Sequence, residues 1–151
     1  MTPFKSVPSP SGEAVPSACG PIVSSGGAHP YAFPRSLRLK SRKEVDVLFA
    51  RRDITLTAYP LRAVACRAAG LPVLQVMFCC SKRRLRDAVP RNRARRQMRE
   101  AFRLNRHALS RALSERGVAL RVAFLWMSSR PVPTPRVESA MKTLLLKLAL
   151  S

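Results

Sequence analysis

The sequence predicts an α+β fold. It reads as a single small sandwich of a mostly antiparallel sheet (about four strands) with helices, in the order helix, strands, helix, strand, helix. Three observations carry that prediction. Ala88–Arg103 keeps apolar residues at helical spacing, and Val118–Met127 is a nearly unbroken apolar run of strand length. The opening residues differ from the rest by composition: positions 1–30 hold six Pro, six Ser and four Gly, with only Lys5 and Glu13 charged.

That opening cannot bury a core, so residues 1–32 are expected to form a disordered extension and residues 33–151 the folded domain. Ser41-Arg42-Lys43-Glu44 has the form of a capping box, starting a short helix that presents Val45, Leu48 and Phe49 on one side. Tyr59–Cys66 and Val73–Cys80 read as strands, and Arg67–Pro72 between them holds Gly70 and Pro72. An antiparallel hairpin is the expectation there. Asp87 is placed to cap the long helix that follows, with Pro90 in its first turn, where a missing N–H costs nothing. The helix should stop at Gly117, with a possible break near Asn105–His107. Val118–Met127 then reads as a strand buried on both faces. Three prolines make 128–135 a loop, and Thr134-Pro135 is a cap-and-first-turn pair for a last helix. Its apolar side is Val137, Met141, Leu144, Leu145 and Leu148.

Charge narrows the function. The 28 Lys and Arg against eight Asp and Glu leave a formal net charge of +20, far beyond what solubility needs. Candidate partners are nucleic acid, an anionic membrane surface and an acidic protein. No run of 18 apolar residues is present, the start lacks the apolar core of a secretion signal, and a cytoplasmic location is expected. Cys19, Cys66, Cys79 and Cys80 match no zinc spacing; Cys66, Cys79 and Cys80 read as small apolar fillers, and Cys19 as an exposed thiol in the extension. Eight scattered acids and two histidines, His29 and His107, supply no nuclease centre, so no catalytic and no metal-binding residue is expected in the chain.

Residues 82–106 hold eleven Lys or Arg and two acids. On a helical wheel with Arg91 at zero, Ala94, Met98, Ala101, Phe102 and Asn105 fall within about 100° of arc, while the arginines spread over an adjoining flank. Like charges four residues apart weaken a helix by a few tenths of a kcal/mol per pair. Such an arrangement is explained by a partner that takes up the charge, and arginine suits RNA because its planar fork grips phosphates and stacks on bases. Charge alone leaves RNA and DNA open. A DNA-groove reader would need base-reading side chains, for which Asn92 and Gln97 are the candidates. A structural RNA-binding protein with no part in cleavage is a further reading.

Ser81-Lys82-Arg83, followed by Ala88-Val89-Pro90-Arg91-Asn92-Arg93-Ala94-Arg95-Arg96-Gln97-Met98-Arg99-Glu100-Ala101-Phe102-Arg103, resembles the protein subunit of bacterial ribonuclease P. The resemblance covers roughly 35–150. It implies an RNA-binding domain with a left-handed strand–helix–strand crossover, in a ribonucleoprotein endoribonuclease whose RNA subunit, with bound Mg²⁺, removes the 5′ leader of precursor tRNA. The implied partners are the catalytic RNA and precursor tRNA, with no membrane and no obligate protein partner. It further implies that Arg91, Asn92, Arg93, Arg95, Arg96 and Arg99 face the catalytic RNA, and that Ser81, Lys82 and Arg83 lie beside the leader. Phe49 matches an aromatic of the leader cleft, although its spacing with Val45 and Leu48 fits a core position equally. Val45 stands where a second cleft aromatic is common, and Tyr59 could supply that stacking instead. The loop Arg84-Leu85-Arg86-Asp87 lacks the glycine found in many members, and Ala94 and Gln97 replace residues that are commonly aliphatic. Trp126 reads as core.

Overall fold

A computed structural model of the chain describes residues 33–70 and 73–151. The expected extension over 1–32 and the end of the expected turn at 71–72 lie outside the described residues. A 3-10 turn, Arg35–Leu37, precedes α1 (Arg42–Arg51), β1 (Ile54–Ala58), β2 (Leu61–Ala68) and β3 (Leu74–Cys79). Then come α2 (Ala88–Arg116), β4 (Ala119–Trp126) and α3 (Thr134–Leu150). The class is the predicted α+β arrangement; the opening turn and the strand β1, for which no element was expected, are added to the expected order.

The four strands lie in the order β1–β2–β4–β3, antiparallel except for the β3–β4 pair. The expected hairpin between 59–66 and 73–80 therefore does not form, because β4 lies between those two strands. The reason is burial. β2 and β4 bury residues on both faces, so each is covered most fully beside the other at the centre, while β3 has a half-exposed face and takes an edge. The hairpin partner of β2 is β1, where half-buried Ile54, Leu56 and Ala58 alternate with exposed Thr55 and Thr57. Helices α2 and α3 pack together on one face of the sheet over Leu61, Val76, Val122 and Phe124. Helix α1 covers the other face, where Leu39, Leu48, Cys66 and Ala123 form a smaller cluster.

Local signals were met unevenly. Helix α2 runs unbroken through Asn105, whose Nδ2 donates to the Ala101 carbonyl at 2.7 Å inside the helix. It ends as a Schellman motif: Gly117 has φ +64, its N–H meets Ser114 O, and the Val118 N–H meets Leu113 O. Ser41 and Asp87 occupy the expected N-cap positions, but neither side chain makes a capping bond. Glu44 is drawn instead to Arg121 at 2.7 Å, an ion pair that ties α1 to β4. A charged partner offers Glu44 more than a neutral amide would. The N-cap of α3 is Pro133, one residue before the expected Thr134.

Thr134 is engaged elsewhere. Its Oγ1 accepts from Gln97 Nε2 at 3.0 Å, and the same nitrogen reaches Val132 O at 3.1 Å. Gln97 is thus a buried cross-link between α2 and the approach to α3. Gln97→Ala leaves the buried Val132 carbonyl without this partner and should lower stability in urea titration by about 1–3 kcal/mol with helical content intact. A loss below a few tenths would show that the link contributes little.

Candidate nucleic-acid interface

The long helix sorts its residues by face. Ala94, Met98, Ala101, Phe102, Leu109 and Leu113 are buried against the sheet and α3. On the outward face, Val89, Asn92, Arg93, Arg95, Arg96 and Arg99 line one open groove of about 670 Å³. On the wheel these six span about 40–200°, opposite the packed arc, so a single straight helix presents all of them together. No acidic residue lines the groove. Glu100 is taken up by Arg103 at 2.6 Å, and that guanidinium holds its carboxyl below the usual range. The cationic face is therefore not neutralised from within the helix.

Arg91 differs from the other predicted arginines. It lies at the wheel position that packs, and its Nη1 donates to the carbonyls of Leu85 (3.1 Å) and Arg86. Its guanidinium braces the loop before α2 and lies outside the groove. Val89 is the groove residue that the charge pattern passed over. It is 79% exposed, and its spacing to Asn92, Arg93 and Arg96 is the signal that identifies it.

The loop carrying Ser81, Lys82 and Arg83 is a tight turn. The Ser81 carbonyl accepts the N–H groups of Arg84 and Leu85 at 3.1 and 3.2 Å, and buried Leu85 anchors the segment. A buried leucine fastens this glycine-free loop, and Ser81, Lys82 and Arg83 all stand exposed. Phe49 is half-buried on the α1 face with Val45, Met77 and Leu125. It is partly core and partly available, which joins the two readings of its spacing. Ser81 follows two residues beyond β3, the strand that carries Met77. Arg121, between Glu44 and Gln75 (3.0 Å), closes the middle of this face.

The remaining candidates fall into the interior. Trp126 is core, as expected. Gln97 is buried too, so the base-reading pair required of a DNA-groove reader is reduced to Asn92. Cys66 and Cys80 are buried. Desolvation raises both thiols above their ordinary value, reinforced at Cys66 by Asp53 and only partly opposed at Cys80 by Arg95. Among the described residues, no three His, Cys, Asp or Glu side chains converge to hold a metal ion, and no helix is long and apolar enough to cross a membrane.

Comparison with known proteins follows the same line. A family model described as Ribonuclease P matches residues 33–148. The ribonuclease P protein component of Porphyromonas gingivalis strain W83 is 34% identical over 121 residues, covering 79% of this chain and 88% of that protein. Its counterpart in strain ATCC 33277 is 36% identical over 124 residues, with the same coverage. The component from Chromohalobacter salexigens is 37% identical over 90 residues, covering 57% of this chain and 70% of that one. The Staphylococcus aureus RNase P protein shares the fold, with a TM-score of 0.60 at 16% identity over 76% of this chain and 96% of that structure.

Proposed function

The chain belongs to the ribonuclease P protein family, and from that membership we propose that it is the RNA-binding protein subunit of an endoribonuclease that removes the 5′ leader of precursor tRNA. The carrying observation is the α2 groove. Five of the six residues matched to the RNA-facing motif line it together, with no acid among them. In this reading Asn92, Arg93, Arg95, Arg96 and Arg99 grip phosphates of the catalytic RNA, and each of the four arginine contacts releases condensed counterions. Arg91 acts indirectly, holding the loop of Ser81, Lys82 and Arg83 where the leader passes. Phe49 supplies an apolar surface for an unpaired base at the α1 face.

In this reading the chemistry stays with the RNA subunit, which would hold most of the Mg²⁺ that the cleavage needs. The chain's part is to screen phosphate repulsion and to position the leader, in the cytoplasm and without an obligate protein partner. Reconstitution tests this. Purified protein, added to the RNA subunit at a Mg²⁺ concentration too low for the RNA alone, should restore cleavage at the tRNA 5′ end. No stimulation by folded protein would overturn the proposal.

A further inference from the structure

A second, smaller groove of about 280 Å³ follows the outer edge of β3, with Phe33, Arg38, Lys40, Met77, Phe78 and Arg99 in its lining. It too has no acid. Its position is set by an extended segment that adds itself to the sheet edge: Arg38 bridges Val76 in parallel, and the Leu39 N–H meets Val76 O at 3.0 Å. Leu39 turns its side chain into the α1 cluster, so Arg38 and Lys40 on either side of it stand outward.

Arg38 is also held in place. Its guanidinium lies over the Phe33 ring, 5.4 Å from the centroid, and Phe33 is braced by Phe78 at 6.0 Å and by the edge of Phe102 at 5.8 Å. A cation held over a fixed ring loses little freedom when it meets a phosphate. The two ends of the groove are equally informative. Arg99 lines both this groove and the arginine groove of α2. Leu39 and Met77 belong both to this groove and to the cluster on which Phe49 packs.

We propose that the β3-edge groove binds single-stranded RNA and carries it between the arginine face of α2 and Phe49. The proposal rests on the reading of α2 as an RNA-binding face. Its site is Arg38 and Lys40 on phosphates, with Arg38 fixed for that contact by its place over the Phe33 ring.

The test uses the full chain and a single-stranded RNA of about 12 nucleotides. Arg38→Ala/Lys40→Ala should weaken binding about 5- to 10-fold at 0.1 M salt and reduce the salt slope by about 1.4, as expected for two lost phosphate contacts on a single strand. Arg38→Lys should restore the slope but not the full affinity. Arg111→Ala removes a cation outside both grooves, paired with Glu115, and should change binding little. With 4-thiouridine in the oligonucleotide, ultraviolet cross-links to wild-type protein should map to 33–40 or 76–78. Unchanged affinity and slope in a double variant that melts like wild type would overturn the proposal, and so would cross-links confined to other segments. Because no catalytic RNA is present, failure here leaves the low-Mg²⁺ reconstitution untouched, and failure of the reconstitution leaves this result standing.

Discussion

Changing Arg93, Arg95, Arg96 and Arg99 together to alanine should lower the slope of log affinity against log salt for the catalytic RNA by about 2.8–3.6. Each lost phosphate contact removes about 0.7–0.9 of slope, and these four guanidinium groups line one groove. Raising salt from 50 to 200 mM would then weaken the wild type roughly 50- to 150-fold more than the variant. Stability should move little or upward. Alanine is the best helix former, the like-charge pair Arg95/Arg99 disappears, and Arg93, Arg96 and Arg99 are exposed. A folding loss would mean that these side chains serve packing. Unchanged slopes would take them out of the interface. Loss of RNA binding with no loss of stability is the outcome that assigns the stripe to function, and filter binding with thermal melts on the same preparations measures both.

How far the sequence was legible depends on whether an interaction is local. The packed side of α2, the Gly117 stop and the apolar side of α3 follow from spacing within one element, and the structure shows each of them. Strand pairing is not local. Tyr59–Cys66 and Val73–Cys80 are neighbours in sequence, and neighbours usually pair. The contrary signal was that 61–66 and 119–126 are both nearly continuous apolar runs, as two central strands must be. β1 has a five-residue alternation, which is weak because only one of its faces is half-covered. The side-chain exchanges were beyond sequence reasoning altogether. Glu44 meets Arg121 and Gln97 meets Thr134 across 77 and 37 positions, so local capping patterns were the only visible alternative. At the candidate site the same rule separates Arg91 from its neighbours. Its wheel position already lay within the packed arc, but which carbonyls it would bind depended on how the loop folds back.

Phe102→Ala should be the most damaging single change. Phe102 is fully buried, and its ring lies 5.8 Å from Phe33, 5.7 Å from Phe78 and 5.8 Å from Phe124. Truncating such a ring costs about 3–5 kcal/mol, a large share of the roughly 5–15 kcal/mol that holds a domain folded. The melting temperature should fall by roughly 10–20 °C. The position explains why one ring matters so widely. Phe102 joins α2 to β3 and β4 through Phe78 and Phe124, and through Phe33 it supports the segment that carries Arg38. Phe102→Leu keeps much of the volume and should cost clearly less. Below the melting transition, the alanine variant should retain affinity for the catalytic RNA close to wild type, since every groove arginine is still present. A loss under 1 kcal/mol would show that the four-ring cluster does not fasten the fold. A large loss of affinity in the still-folded variant would show instead that the arginine face depends on the exact seating of α2.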